Sequence, residues 1–224
     1  MLLVKPSATI ITPVKPNEML KRIEAAGRTC YKSEDRITDD SAEKFVKNIL
    51  TRHHESVIEH ESVSVRFICD RGVTHEIVRH RIASFSQEST RYVNYEKKGI
   101  TFIIPKWVNL LPGELKDIDA TILALANIGR RADSAWLLAM KNAELSYNEL
   151  LSLGWKPEQA RSVLPNSLKT EIVMTANLRE WRHFFELRTA RSAHPQMREV
   201  AIPLCQEFQS LLPSIFGDIT FDTQ

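Results

Sequence analysis

Helix-like and strand-like segments alternate along this chain without the regular strand–helix–strand rhythm that builds a parallel sheet. Residues 62–69 alternate polar and apolar side chains as a half-buried strand does, and residues 167–176 are also strand-like. Residues 114–153 are helix-like, with a break expected near Gly129. This irregular order predicts an α+β fold in which a mostly antiparallel sheet is flanked by helices.

Local signals place the ends of several of these segments. Asn17 is predicted to cap a first helix, and Pro157 to lie in the first turn of a short one. Residues 92–95 are predicted to form a strand that leads into a turn at Lys97-Lys98-Gly99.

Length and composition favour one globular domain. The chain has 224 residues, 43% of them hydrophobic, which supports a packed core. No linker or repeat marks a split, so residues 1–224 are predicted to form a single domain. The net charge of +2 is too small to favour DNA or RNA as a partner.

Three features of the sequence indicate the cellular compartment of the protein. The apolar run that follows Met1 is too short for a signal peptide, and no run approaches the length that spans a membrane. Three cysteines, Cys30, Cys69 and Cys205, form no CxxC pair and leave an odd count, which suits a reducing compartment. We therefore expect a soluble, cytoplasmic protein that does not bind membranes.

The seven glycines exclude two common ways of binding phosphate. None of them stands in a GxGxxG or a GxxxxGK[ST] pattern, so neither a Rossmann turn nor a P-loop is present. Any phosphate bound here must be held by cationic side chains or helix N-termini.

Residues 79–92 concentrate the polar chemistry of the chain. This segment contains three arginines, one histidine, three serines, Gln87 and Glu88. Guanidinium groups can hold phosphate oxygens two at a time, and hydroxyl and amide groups can read sugar and base edges. A basic loop engaged in salt bridges explains this composition less well. The segment therefore predicts a nucleotide site.

Residues 53–60 contain three histidines and two glutamates, which suggests zinc. The spacing argues against a metal, because HExxH needs its second histidine where this chain has Ile58. Two interpretations remain open: a purine or flavin ring lying against the cluster, or solvated side chains at a helix C-terminus, where protonated histidine suits the dipole. We predict no metal site.

Residues 177–188 read as an amphipathic helix. Leu178, Trp181, Phe184, Phe185 and Leu187 supply its apolar face. The cations Arg179, His183 and Arg188 lie elsewhere, and each alone would be an ordinary surface charge. Asn177 is a candidate N-cap.

Four separated elements resemble the flavin-dependent thymidylate synthases. Arg79-His80-Arg81, followed after seven residues by Ser89, resembles their signature. Residues 54–60 are similar to an upstream His-Glu-Thr/Ser-x-x-Glu-His element, residues 160–165 to an Ala-Arg-x-x-Leu-Pro element, and residues 177–195 to a C-terminal block. Together they cover about a third of the chain, whereas residues 94–155 carry no such motif.

The resemblance implies an activity and its cofactors. The family converts dUMP to dTMP, with 5,10-methylenetetrahydrofolate as the one-carbon donor and NADPH as the reductant through bound FAD. Its members are homotetramers whose sites draw on several subunits.

The resemblance also implies roles for individual residues. The expected FAD ligands are His54, Ser56, Glu59, Arg79, His80, Arg81, Gln87, Asn177, Arg179 and His183. The expected nucleotide ligands are Glu76, Arg79, Gln87, Glu88, Ser89, Thr90, Arg91, Arg161 and Arg188. Three positions depart from the commonest pattern: Glu76 and His183 replace frequent amides, and Gln87 replaces a frequent glutamate.

The resemblance implies that Arg188 is the catalytic residue. A cation that faces the pyrimidine would stabilise negative charge on the ring and make its C5 nucleophilic. The classical thymidylate synthases use a cysteine nucleophile next to proline, and no cysteine of this chain stands in that context. Ser89 is expected to bind the nucleotide, since no base that could activate it is evident.

Two other functions fit parts of the pattern. A module that binds RNA or single strands would interleave aromatic residues with the basic ones, but residues 79–91 contain only Phe85. A nucleotide sensor that has lost catalysis would keep the same pocket, and only measured turnover separates it from an enzyme.

Overall fold

The alternating segment at residues 62–69 forms the long strand β3, Ser62–Asp70. Val63, Val65 and Phe67 are buried, whereas Ser62 and Arg66 face solvent. β3 belongs to a four-stranded sheet of order β2-β3-β7-β4. The other strands are β2 (Ser7–Ile10), β4 (Ala83–Gln87) and β7 (Lys169–Asn177).

A second, three-stranded sheet has the order β5-β1-β6. In it, β1 (Leu2–Val4) pairs in parallel with β5 (Thr101–Ile103) and antiparallel with β6 (Gly113–Glu114).

Helices account for most of the remaining regular structure. The computed structural model describes residues 1–95 and 99–221. Within that part of the chain the helices are α1 (Pro16–Thr29), α2 (Ser41–Thr51), α3 (Arg71–Ile77), α4 (Ile118–Asn127), α5 (Arg131–Ser152), α6 (Pro157–Ala160), α7 (Leu178–Arg188), α8 (Pro195–Leu211) and α9 (Pro213–Phe216). Three short 3₁₀ segments lie at Glu34–Arg36, Glu55–His60 and Arg161–Val163. The prediction of an α+β fold with mostly antiparallel sheets flanked by helices is confirmed.

Several local predictions can be compared with the structure. The break near Gly129 and the short helix at Pro157 are confirmed. The cap at Asn17 is wrong: α1 starts two residues earlier than that cap predicts, with Lys15 at the cap position, because Pro16 at the first helical position already has a helical φ. The strand at residues 92–95 is also wrong, since Tyr92 and Val93 form a turn whose amides donate to the Ser89 carbonyl. The turn predicted at Lys97-Lys98-Gly99 lies partly outside the described residues.

By its internal contacts the chain divides into two compact units. Unit 1 comprises Met1–Ser7, Ile68–Ile77 and Gln87–Ile172, and unit 2 comprises Ala8–Phe67, Val78–Ser86 and Val173–Gln224. That all 224 residues act as one domain stays a prediction.

Each unit has its own core. In unit 1, helices α4 and α5 contribute to a buried apolar cluster that includes Leu3, Phe102 and Tyr147. In unit 2, an aromatic cluster joins α7, α8 and α9 through Trp181, Phe184, Phe185, Phe208 and Phe216. Among the described helices, none combines the length and the apolar character needed to cross a membrane.

Candidate active site

Helix α7 carries the polar side chains of unit 2 on a rigid support. Trp181, Phe184 and Phe185 are fully buried, and the Trp181 indole donates to the Val63 carbonyl at 3.0 Å. Asn177 caps the helix by accepting a hydrogen bond from the Glu180 amide at 2.8 Å, as predicted. Packing on one face and this cap at the start therefore fix the positions of the polar residues that α7 presents.

His80 is buried and hydrogen-bonded through both ring nitrogens. Its Nδ1 lies 2.8 Å from Oε1 of Glu180, and Nε of Arg188 donates to its Nε2 at 3.1 Å. A guanidinium can only donate, so Nε2 must be the accepting nitrogen and Nδ1 must carry the proton. The result is a chain of hydrogen bonds, Glu180–His80–Arg188, that fixes one tautomer and orients the arginine.

The same surroundings keep His80 neutral. Burial lowers the pKa of His80 and outweighs the hydrogen bond with Glu180, which raises it, while the Arg188 charge lowers it further. A neutral His80 accepts from Arg188 at ordinary pH and leaves the positive charge on the guanidinium.

Sequence reasoning missed Glu180. It stands three residues after Asn177, where a glutamate usually reads as part of a capping box and folds back on its own helix. Here its carboxylate instead meets His80, one hundred residues earlier in the chain. The one signal that could have suggested it is its acidic charge beside the block of arginines and histidines at residues 177–188.

His80, Glu180 and His183 also bring ligand atoms within 4.8 Å of one another, a spacing that a metal ion could use. Both nitrogens of His80 are occupied by hydrogen bonds, and one partner is the Arg188 cation. A metal ion would have to displace that arginine against its charge. The histidine-rich segment at residues 53–60 contributes no ligand to this group.

A cavity of about 270 Å³ in unit 2 borders this cluster. Its lining includes Ile82, Asn177, Arg179, Glu180 and His183. Arg179 donates to Glu59 at 2.7 Å, and this hydrogen bond raises the pKa of the guanidinium. Since Asn177 uses its carbonyl oxygen as the cap, its amide NH₂ is the part of that side chain that can donate to a ligand.

The other cofactor residues predicted in unit 2 are exposed. Arg79 and Arg81 face solvent, and neither makes a side-chain hydrogen bond or ion pair within the described chain. Their charges are therefore available to an anion. His54 and Ser56 are also exposed, at the start of the 3₁₀ segment Glu55–His60.

In unit 1, a second cavity of about 420 Å³ gathers residues predicted to bind the nucleotide. Arg161 donates to the Thr90 hydroxyl at 3.2 Å, and both residues line the cavity. Arg71 lines it as well, and Nη1 of this arginine is buried with no hydrogen-bond partner in the part of the chain that the structure describes. A buried guanidinium nitrogen without an acceptor is costly, and a bound anion would supply that acceptor. Arg71 is a second residue that the sequence analysis missed.

Gln87 and Glu88 are tied into unit 1 by hydrogen bonds. The amide of Gln87 donates to the Thr74 hydroxyl at 3.1 Å, which leaves its carbonyl oxygen for a ligand. Glu88 accepts from the Tyr95 hydroxyl at 3.0 Å and from Lys169 at 3.1 Å. Both carboxylate oxygens of Glu88 thus have internal partners, and a role in binding substrate stays a prediction.

The remaining nucleotide residues lie near this segment. The Arg91 amide donates to the Ser89 hydroxyl at 3.3 Å, and the Arg91 guanidinium stacks 5.2 Å from the centre of the Tyr92 ring. Glu76 is half-buried on α3. The predicted cofactor residues fall in unit 2 except Gln87, and the predicted nucleotide residues fall in unit 1 except Arg79 and Arg188.

Comparison with known proteins gives a consistent answer. A family model described as thymidylate synthase complementing protein matches residues 14–214. The flavin-dependent thymidylate synthase of Mycobacterium tuberculosis is 35% identical over 207 residues, which cover 90% of this chain and 80% of that protein. The enzyme of the same name from Pyrococcus furiosus is 35% identical over 184 residues, 81% of this chain and 68% of its own.

A solved structure shares the fold. The crystal structure of the UMP/dUMP methylase PolB from Streptomyces cacaoi, bound with 5-Br dUMP, aligns with a TM-score of 0.74 and 24% identity. The alignment covers 97% of this chain and 96% of that one. With the family match over residues 14–214 and 35% identity across nine-tenths of its length, this chain belongs to the flavin-dependent thymidylate synthases.

Proposed function

We propose that the protein catalyses the reductive methylation of dUMP to dTMP, with 5,10-methylenetetrahydrofolate as the one-carbon donor and NADPH as the reductant through bound FAD. Membership of the family supports the reaction type. The observation that carries the proposal is the Glu180–His80–Arg188 chain, which holds an arginine in one orientation by buried hydrogen bonds.

The residues of unit 2 suit a flavin dinucleotide. Arg79 and Arg81 offer two exposed cations that have no side-chain partner among the described residues, which match a pyrophosphate. The cavity beside α7 offers donors from Asn177, Arg179 and His183, with Ile82 as apolar lining. When bound, FAD supplies the redox chemistry, and these side chains orient it. Further contacts from His54, Ser56, Glu59 and Gln87 belong to the same proposal.

The residues of unit 1 suit a nucleoside monophosphate. Arg71 and Arg161 present guanidinium groups to a cavity that also offers the hydroxyl of Thr90. The carbonyl of Gln87 can accept from a base or sugar, since its amide is already used. Glu76, Glu88, Ser89 and Arg91 complete the proposed set.

Arg188 would act on the pyrimidine electrostatically. His80, as a neutral ring, accepts a hydrogen bond from the guanidinium and adds no positive charge beside it. A fixed cation beside the ring oxygens stabilises the negative charge that develops when C5 becomes nucleophilic. Two of the three cysteines are poor candidates for a thiolate nucleophile: Cys69 and Cys205 are buried, and burial raises the pKa of both thiols, that of Cys205 to about 12. Cys30 is exposed.

We also propose that the whole chain works as one domain within a homotetramer in the cytoplasm. Exposed apolar side chains on α4 and α5, among them Leu123, Leu138 and Leu145, support assembly. Three free cysteines suit a reducing compartment.

A flavin titration combined with Arg188→Ala tests the proposed function. Purified protein should give a saturable shift of the visible flavin band with FAD, and dUMP should perturb that band again. Arg188→Ala should keep flavin binding while thymidylate formation falls by about 10²–10³-fold, the usual cost of removing one preorganised charge-stabilising donor. Near-normal turnover of this variant would remove Arg188 from the mechanism, and a folded protein that ignores FAD would overturn the cofactor.

A further inference from the structure

A cavity of unit 2 lies between the end of α1, the segment after it and helix α2. Its volume is about 620 Å³, within the range of roughly 300–1,000 Å³ that small-molecule sites occupy. His54 is the only residue of its lining that the family resemblance assigns to a ligand. The rest of the cavity therefore has no assigned role.

Positive charge dominates the lining. Arg28, Lys32, Arg36 and Arg52 border the cavity together with a single carboxylate, that of Asp35. Lys32, Arg36 and Arg52 are exposed and make no side-chain hydrogen bond or ion pair with any described residue. Like charges held around one cavity repel each other, and a bound anion removes that repulsion.

One of these cations is rigidly held. Arg28 donates from Nε and Nη2 to Oε1 of Glu24 at 3.0 and 2.8 Å, and Glu24 is fully buried. The guanidinium also lies 4.8 Å from the centre of the Phe45 ring. An arginine fixed on two sides loses little further freedom when it meets a ligand.

The backbone at the edge of the cavity is also unusual. Lys32 has a φ of 50°, and His53, next to the lining residues Arg52 and His54, has a φ of 57°. Both positions follow a helix, where glycine or asparagine normally adopts this conformation. Non-glycine residues in left-handed geometry concentrate at functional sites. Cations near the ends of α1 and α2 also suit the helix dipoles, which accounts for Arg28 and Arg52 but not for Arg36.

The uncharged lining favours a nucleotide over a simple anion. Tyr31 presents a ring that is 69% exposed and can stack on a base. Asn48 can read a base edge with its amide, and guanidinium groups pair with phosphate in a bidentate way. We propose that this cavity binds a nucleotide that carries at least two phosphate groups. This inference rests on the proposed function: the cavity would bind the adenosine phosphates of the reductant NADPH.

Direct binding to the full-length protein tests the site without depending on turnover. Isothermal titration with 2′,5′-ADP should give saturable binding that weakens as salt is raised, because the interaction is between charges. Arg36→Ala and Arg52→Ala should each weaken it roughly tenfold, the usual loss for one charge-assisted contact. Both side chains are exposed, so both variants should fold. Lys44→Ala removes a charge from the outer part of α2, away from the lining, and should leave binding unchanged.

Two comparison ligands decide what the cavity recognises. 5′-AMP, with a single phosphate, should bind more weakly than 2′,5′-ADP, and tri-γ-glutamate should not compete. Absence of 2′,5′-ADP binding, or an equal loss of binding in Lys44→Ala, would overturn the proposed site. If tri-γ-glutamate binds more tightly than 2′,5′-ADP, the proposal of a nucleotide site is wrong and the cavity is a polycarboxylate site. The dUMP-dependent flavin shift, measured on the same samples, reports separately on the proposed reaction.

Discussion

At the scale of single residues, Glu180 is the side chain on which the orientation of Arg188 depends. Replacing it with alanine leaves the buried Nδ1–H of His80 without an acceptor, which costs about 1–3 kcal/mol and frees the ring to turn or change tautomer. We expect Glu180→Ala to lower kcat severely while the KM for dUMP and the flavin affinity change little. Glu180→Gln keeps an acceptor oxygen and should restore most of the activity.

The matched pair separates positioning from general stability. Circular dichroism and the thermal midpoint should be followed alongside kcat. If alanine and glutamine variants lose activity equally, the carboxylate charge rather than the orientation of His80 would be what matters. If activity follows the thermal midpoint alone, Glu180 would have a structural role only.

The second prediction at this scale concerns Arg71. Its Nη1 is buried beside the 420 Å³ cavity without a partner, so an anion there gains an already desolvated donor. We expect Arg71→Ala to weaken dUMP binding at least about tenfold. Arg71→Lys keeps the charge without the planar guanidinium and should fall in between. Arg66→Ala, an exposed arginine on β3, is the control, and a loss of stability without a loss of affinity would contradict the prediction.

These two residues show where sequence reasoning ends. Arg79-His80-Arg81 could be singled out from residue type and spacing, and Arg188 from the resemblance to the family. Glu180 and Arg71 acquire their meaning only from partners or cavities that the fold creates, since Glu180 meets a histidine one hundred positions away. Burial of one nitrogen of Arg71 has no trace in the local sequence.

At the scale of elements, long helices can be predicted from the sequence, whereas short polar strands depend on partners that the fold supplies. α5 and α7 follow from a long apolar periodicity, and the cap of α7 follows from Asn177. β4 has only a weak strand signal in the sequence, because Ala83-Ser84-Phe85-Ser86-Gln87 combines small and polar residues with one aromatic. Its pairing in the sheet, and not its own propensity, makes it a strand.

Helix α1 packs on α2 at Gly27, where neighbouring side chains leave no room for a Cβ atom. A Cβ at Gly27 would lie 2.6 Å from the Phe45 ring and 2.9 Å from the Val57 side chain. Gly27→Ala should therefore lower the free energy of unfolding by about 1–3 kcal/mol, although alanine favours a helix. Ala25→Ser, exposed on the same helix, should change it by no more than about 0.5 kcal/mol. Urea unfolding measures both, and a stabilised Gly27→Ala would mean that Phe45 can move aside at little cost.

At the scale of the whole molecule, helix α5 of unit 1 presents two exposed leucines. Leu138 and Leu145 lie seven residues apart on α5 and are 43% and 55% exposed. Residues at this spacing share one helical face, which is the arrangement that packs against another helix. Residues 94–155 carry no motif that indicates a role, and we propose this face of α5 as the assembly surface of the tetramer.

The proposed tetramer can be tested through this face. Leu138→Asp and Leu145→Asp would each place a carboxylate in the interface, at a cost of several kcal/mol if it stays charged there. In light scattering coupled to gel filtration, we expect the parent protein at four times the chain mass of 25.7 kDa and both variants at a lower multiple. Ala139→Asp adds the same charge about a quarter turn away on α5 and should keep the parent mass. Unchanged assembly of both leucine variants would place the subunit contacts elsewhere, and a parent protein of single-chain mass would refute the tetramer itself.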